Sequence, residues 1–215
     1  GGCVTTDQVT VTVGGANTAT IAYSGAAYCT SETPKTVTIT GFLGGSFSST
    51  AGLAIDPVTG TITPGSSTAG TYTVTYSIPA GGGCPASTVT TSVIIRQQPN
   101  AGTDGSTSIC DSNTTPINLF ALITGEQTGG IWTRSSGTGG TLNAGTGVFT
   151  PIAGMSGSSF TYTVTGVSPC SNDTSTVTLN VLPQANAGTD GALSVCDSNT
   201  SPIDLFALIT GEQPG

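Results

Sequence analysis

Residues 100–127 read NAGTDGSTSICDSNTTPINLFALITGEQ, and residues 186–213 read NAGTDGALSVCDSNTSPIDLFALITGEQ. Twenty-three of the 28 positions match at an offset of 86 residues. Self-similarity at a fixed period fixes the architecture before any single motif does, because each copy must be one folding unit. The repeat therefore sets a module of about 86 residues.

Two complete modules share a further pattern. The first has Ile55-Asp56-Pro57-Val58-Thr59-Gly60-Thr61-Ile62-Thr63-Pro64 and then Gly70-Thr71-Tyr72-Thr73-Val74-Thr75-Tyr76. The second has Leu142-Asn143-Ala144-Gly145-Thr146-Gly147-Val148-Phe149-Thr150-Pro151 and then Phe160-Thr161-Tyr162-Thr163-Val164-Thr165. In each, a short strand meets a Thr-Gly turn, a second strand ends at Thr-Pro, and a long alternating strand follows. Strict alternation of apolar and polar residues marks a half-buried strand. Further strands are expected at 18–23, 35–40, 88–95, 130–133 and 175–181. Asn118 to Ile123 has apolar residues at mixed spacing and is read as a strand over a single helical turn. Gly70-Thr71-Tyr72 has the form of the approach to a tyrosine corner.

Composition supports this reading. The chain holds 42 Thr and 32 Gly, and only 7% of it is charged. Thr, Val, Ile and Tyr suit a pleated, half-buried surface. Seven or so short strands per module, with turn signals between them, predict an all-β fold of tandem immunoglobulin-like β-sandwich modules, one disulfide each. The expected boundaries are 1–13 as the last strand of a preceding module, 14–97 as module one, 98–182 as module two, and 183–215 as the first part of a truncated module three. Proline in the short joints favours semi-rigid connection.

Charge narrows the partners. The net charge is −8, and the cations are Lys35, Arg96 and Arg134. Phosphate neutralisation needs several Lys or Arg, so no nucleic acid is expected. No apolar run approaches a membrane span, so no membrane insertion is expected in this stretch. The chain contains no His, which excludes Ser-His-Asp and Cys-His catalysis. No phosphate-cradling Gly loop with Lys appears. The expectation is that the chain is not an enzyme. Lys35 is read as a solvated strand-edge residue.

The six cysteines are Cys3, Cys29, Cys84, Cys110, Cys170 and Cys196. Without His or a Cys-x-x-Cys pair, zinc is not expected. Wide spacing in an all-β chain reads as disulfides and an oxidising, extracellular setting. The repeat frame pairs Cys29 with Cys84 and Cys110 with Cys170, and sends Cys3 and Cys196 to partners outside these 215 residues. Each such loop of about 55–60 residues would add roughly 4 kcal/mol through loop-closure entropy.

No cofactor is expected, with calcium as the one candidate metal. Asp104 and Asp111 flank a loop near the module joint, and Asp190 and Asp197 repeat them. Carboxylates with Asn and carbonyl oxygens suit calcium. The same residues are turn formers, and that reading carries more weight. Trp132, the sole Trp, could stack on a sugar, but its strand-like surroundings favour a core position. Asn113-Thr114-Thr115, Asn172-Asp173-Thr174 and Asn199-Thr200-Ser201 match the glycosylation triplet and serve as loop markers.

The stretches ATIAYSGAAYC, GSFSSTAGLAIDPVTGTITPGSSTAGTYTVTYSIPAGGGC, NAGTDGSTSIC and GVFTPIAGMSGSSFTYTVTGVSPC resemble repeats of very large gliding-motility adhesins of gliding bacteria. The opening of the second module also resembles polycystic-kidney-disease-type domains. The resemblance covers nearly the whole chain. It implies an immunoglobulin-like sandwich, export by the type IX pathway, and display as a long filament on the bacterial cell surface. The function it implies is a structural stalk used in surface attachment and gliding motility. Two alternatives stand beside it: spacer or carbohydrate-binding modules of a secreted polysaccharide-degrading enzyme, and a subunit of a self-assembling extracellular fibre. The partners expected are neighbouring modules of the same chain, a surface polysaccharide or solid substratum, and identical chains in a filament.

Overall fold

The structure is a computed structural model that describes residues 1–11 and 17–211. Among the described residues there are thirteen strands and three short 3-10 turns. The chain folds as two units. One comprises Gly1–Asn100 and Val164–Asp173; the other comprises Ala101–Thr163 and Thr174–Gly215.

The first unit carries β1 (Ala19–Tyr23), β2 (Ala27–Cys29), β3 (Val37–Gly41), β4 (Ser46–Ser49), β5 (Gly70–Ile78) and β6 (Ser87–Arg96). One sheet has the order β2-β6-β5-β4; β1 pairs with β3 in the other. Isolated bridges extend the second sheet, Lys35 to Ile62 and Ile62 to Ile55. In immunoglobulin terms these are strands A′-G-F-C facing A-B-E-D. β2 runs parallel to the end of β6, with Cys29 opposite Arg96. The alternation in β5 places Tyr72, Val74, Tyr76 and Ile78 inside and Thr71 and Thr73 outside. The buried set joins Ile21, Phe47, Leu53, Ile62, Val93 and Ile95 in one core between the sheets.

The second unit repeats the plan with β7 (Gly105–Cys110), β8 (Ile117–Asn118), β9 (Ile131–Ser136), β10 (Thr141–Asn143), β11 (Val148–Thr150), β12 (Ser158–Val164) and β13 (Asp173–Leu182). The sheets have the orders β7-β13-β12-β9 and β10-β11-β8. β7 runs parallel to β13, with Cys110 opposite Leu182. Trp132, Phe149, Phe160, Tyr162, Val177 and Leu179 are buried between them.

The two modules reuse the same local solutions. Phe47 faces Tyr76 across β4 and β5 at a centroid distance of 4.7 Å. Trp132 faces Tyr162 across β9 and β12 at 5.2 Å. The Thr-Gly turns put Gly60 and Gly147 at φ of +69° and +66°. A Cβ on Gly60 would lie 2.7 Å from the Phe47 ring, and one on Gly147 2.7 Å from the Trp132 indole nitrogen. Only glycine meets both the left-handed backbone and the close ring.

The tyrosine corner is present in the first module, where the Tyr72 hydroxyl donates to the Thr68 carbonyl at 2.8 Å. Its counterpart in the second module is Ser158, buried but too short for the role.

Several expectations need correction. Residues 118–123 are not one strand: Ile117–Asn118 is strand, and Leu119–Leu122 is a 3-10 turn capped by the Asn118 side chain, which accepts from Phe120 N. Residues 1–11 form no strand and are exposed. Residues 12 and 13 of that expected strand lie outside the described residues. Lys35 is not simply solvated. Its ammonium lies 2.7 Å from the Glu32 carboxylate and 5.3 Å from the centre of the Tyr28 ring.

Candidate functional site

The expected pairings Cys29–Cys84 and Cys110–Cys170 are overturned: the disulfide joins Cys29 to Cys170. The reason lies in the strand order. Cys29 ends β2 beside Arg96, the last residue of β6. Cys84 lies in the turn before Ser87, the first residue of β6. Ten extended residues put those two ends on the order of 30 Å apart, and a disulfide needs Cα atoms within about 7 Å. The second module has the same arrangement along β13. Cys110 stands opposite Leu182 at its end, and Cys170 precedes Asp173 at its start. Each repeat thus carries one cysteine at each end of its last strand, so neither can bridge its own.

Cys170 belongs to the segment Val164–Asp173, which forms part of the first unit, and its Cα lies 5.1 Å from that of Cys29. Both cysteines are buried, at 1% and 6% exposure. Polar groups fix the surroundings. Thr30 N donates to the Arg96 carbonyl at 2.9 Å. Gln98 N donates to Thr30 Oγ1 at 2.9 Å, and Ser31 Oγ donates to Gln98 Oε1 at 3.0 Å. The Gln98 amide then donates to the Ser171 carbonyl at 3.2 Å. Cys29 N donates to Glu32 Oε1 at 3.1 Å. Hydrogen bonds from the Lys35 ammonium and from Cys29 N hold the Glu32 carboxyl below the usual carboxylate range. Sequence reasoning missed Gln98. Its signal was present, since Gln184 repeats it at the 86-residue offset.

The bond encloses a sequence separation of 141 residues. On the chain-entropy account such a loop stabilises by about 5 kcal/mol, slightly more than either within-module pair would. It also removes roughly 480 Å of extensible chain from any force applied beyond Cys29 and Cys170. Chemically the site is a covalent clasp.

The other candidates lie apart. Trp132 is 1% exposed and packs edge-on against Phe120 at 5.5 Å, so its face is closed to a sugar. Asp104 and Asp111 stand on either side of the six-residue β7, roughly 20 Å from one another, too far to share a cation. The Asp104 carboxylate accepts from Thr176 N at 2.7 Å, and Asp111 N donates to the Leu182 carbonyl at 2.8 Å. Asp190 and Asp197 lie in exposed irregular chain. Among the described residues no three His, Cys, Asp or Glu are grouped to hold a metal. Two of the triplet asparagines accept local backbone bonds at the surface, Asn113 Oδ1 from Thr115 N and Asn172 Oδ1 from Gly166 N. No described helix is long and apolar enough to cross a membrane.

No family model matches the chain, and no curated protein matches it. Solved structures that match the chain include human protocadherin-24 EC1-2, with 12% identity over 65% of this chain and 82% of that one, at a TM-score of 0.32. A three-domain titin fragment, I67-I69 in an E-to-A variant, has 11% identity over 80% and 69%, at 0.33. The insect immune protein hemolin has 10% identity over 70% and 42%, at 0.40. Likenesses of this size leave the immunoglobulin-like assignment to rest on the strand order itself.

Proposed function

We propose that this chain is a load-bearing stretch of an extracellular bacterial adhesin stalk, one that serves surface attachment and gliding motility. The observation that carries the reading is the Cys29–Cys170 bond, which ties a cysteine of the first repeat to one of the second. A covalent tie from repeat to repeat suits a part that transmits tension. Disulfides persist in oxidising compartments, which suits display outside the cell. The resemblance to repeats of giant gliding-motility adhesins supplies the export route, the type IX pathway. The described surface is rich in Thr, Ser and Asn and poor in charge, which fits a spacer more than a catalyst. Neighbouring repeats are the first partners, and a polysaccharide or solid substratum is the target of the filament as a whole.

Immunogold electron microscopy of intact source cells, with antibodies against residues 17–182, tests the reading. Gold spaced along thin filaments leaving the cell is the expected result. Antigen free in the medium beside a polysaccharide hydrolase would replace the stalk with the enzyme-spacer alternative.

A further inference from the structure

The cysteines fall into two positional classes, and the classes agree in structure as well as in sequence. Cys29 and Cys110 each end a strand that runs parallel to the last strand of the module. In both, the next residue donates its N–H to the residue opposite, Thr30 to Arg96 at 2.9 Å and Asp111 to Leu182 at 2.8 Å. In both, a tight turn returns to the cysteine carbonyl, from Glu32 N and from Asn113 N, each at 3.0 Å. Asn199 N makes the same bond to Cys196 at 3.0 Å. The second class is Cys84 and Cys170. Each lies three residues before the last strand and donates its N–H to the residue three before it, Gly81 at 2.9 Å and Val167 at 3.0 Å.

The disulfide joins the first-class cysteine of one repeat to the second-class cysteine of the next. We propose that this is the rule of the array: Cys110 bonds the cysteine that corresponds to Cys170 in the repeat after its own. The Cys110 thiol is exposed and not in a disulfide here. The joint that flanks the observed bond through Gln98 recurs as Gln184 after Cys110. The product is a staggered ladder in which every joint between repeats is closed covalently. This rests on the repeat geometry and not on the stalk reading.

Each rung forms by thiol–disulfide exchange with a disulfide oxidant of the export compartment. One cysteine thiolate attacks an oxidant sulfur and expels a thiolate, giving a mixed disulfide. The second cysteine thiolate then displaces the remaining oxidant sulfur. Two cysteine thiols are oxidised, and the oxidant disulfide leaves as two thiols.

The repeat supplies its own test. Gly215 corresponds to Gly129 at the 86-residue offset, so a copy of residues 130–182 appended to the full chain completes the third repeat. Alkylation, digestion without reductant and peptide mass mapping then read the pairs. The expected result is Cys29 with Cys170, and Cys110 with the appended copy of Cys170, leaving Cys196 alkylated. Cys110→Ser should free the appended cysteine completely, and Cys196→Ser should leave the linkage untouched. A bond between Cys196 and the appended cysteine would overturn the rule. So would an appended cysteine that stays a thiol in the unsubstituted chain, or a chain without the Cys29–Cys170 pair.

Discussion

The second repeat and the third begin with almost the same 28 residues and reach different states. In residues 100–127 Leu119 is fully buried; its counterpart Leu205 is 71% exposed, and Phe206 is 76% exposed. Residues 105–110 form β7 against β13, whereas residues 191–196 form no strand. No copy of β9 to β13 follows the third segment within the 215 residues. Yet its local structure is intact. Thr189 bonds Thr210 through backbone and hydroxyls as Thr103 bonds Thr124. Asp204 Oδ1 accepts from Phe206 N as Asn118 Oδ1 accepts from Phe120 N. A Cβ on Gly191 would collide with the Leu208 carbonyl, as one on Gly105 would with that of Leu122. Turns and caps therefore belong to the 28 residues themselves. Strand and core belong to the whole sandwich, because a ladder needs a partner and apolar burial needs an opposing sheet.

Supplying the missing strands should produce the largest change. With residues 130–182 appended, amides 191–196 should pass from near-free hydrogen exchange to the protection of β7, a slowing on the order of a thousandfold or more. Exchange that stays fast in the extended chain would break the comparison.

Truncating the equivalent leucines gives the next effect. Leu119→Ala removes a fully buried side chain and should cost about 2–5 kcal/mol in denaturant unfolding of the second module. Leu205→Ala acts on an exposed side chain and should change stability by less than about 0.5 kcal/mol. Equal costs would mean that the third segment already has a core.

The same division explains what the sequence showed and what it hid. β5 and β12 were legible because Tyr72, Val74 and Tyr76, and Phe160, Tyr162 and Val164, alternate with Thr and Ser. β2 and β7 were not, because Ala-Tyr-Cys and Gly-Ser-Thr-Ser-Ile-Cys hold few large apolar residues and become strands through the parallel ladder. Residues 118–123 misled because an Asx cap converts an apolar run into a 3-10 turn. The burial of Trp132 was readable from its strand context. The disulfide was not. A repeat frame shows which cysteines are equivalent, but only the strand order shows that Cys29 and Cys84 lie at opposite ends of β6.

The caps are smaller still. Asn118→Ala should cost the second module about 1 kcal/mol, the ordinary value for a lost side-chain cap. Asp204→Ala should leave chain stability unchanged while altering the amide chemical shift of Phe206. A destabilisation from Asp204→Ala equal to that from Asn118→Ala would contradict the view that the cap forms before the core does.

The finest test asks whether a turn fixed by its own residues behaves alike in two finished sandwiches. Asp56 Oδ1 accepts from Val58 N at 2.9 Å and Thr59 N at 2.7 Å. Asn143 Oδ1 accepts from Gly145 N and Thr146 N, both at 3.1 Å. The geometry is shared, but only Asp56 titrates. The Thr59 and Val58 N–H groups hold its carboxyl below the usual carboxylate range. A carboxyl depressed on folding contributes stability that is present above its unfolded value near 3.9 and is lost as pH falls through the folded value. Asp56→Asn keeps the acceptor, as Asn143 demonstrates, and removes the proton site. At neutral pH the parent chain should melt slightly above the Asp56→Asn variant, and the gap should close as the pH falls below the ordinary carboxylate range. Asn143→Asp should install the same acid sensitivity in the second module. A gap for Asp56 that does not change with pH would show that its carboxylate contributes nothing to the turn that Asn143 does not.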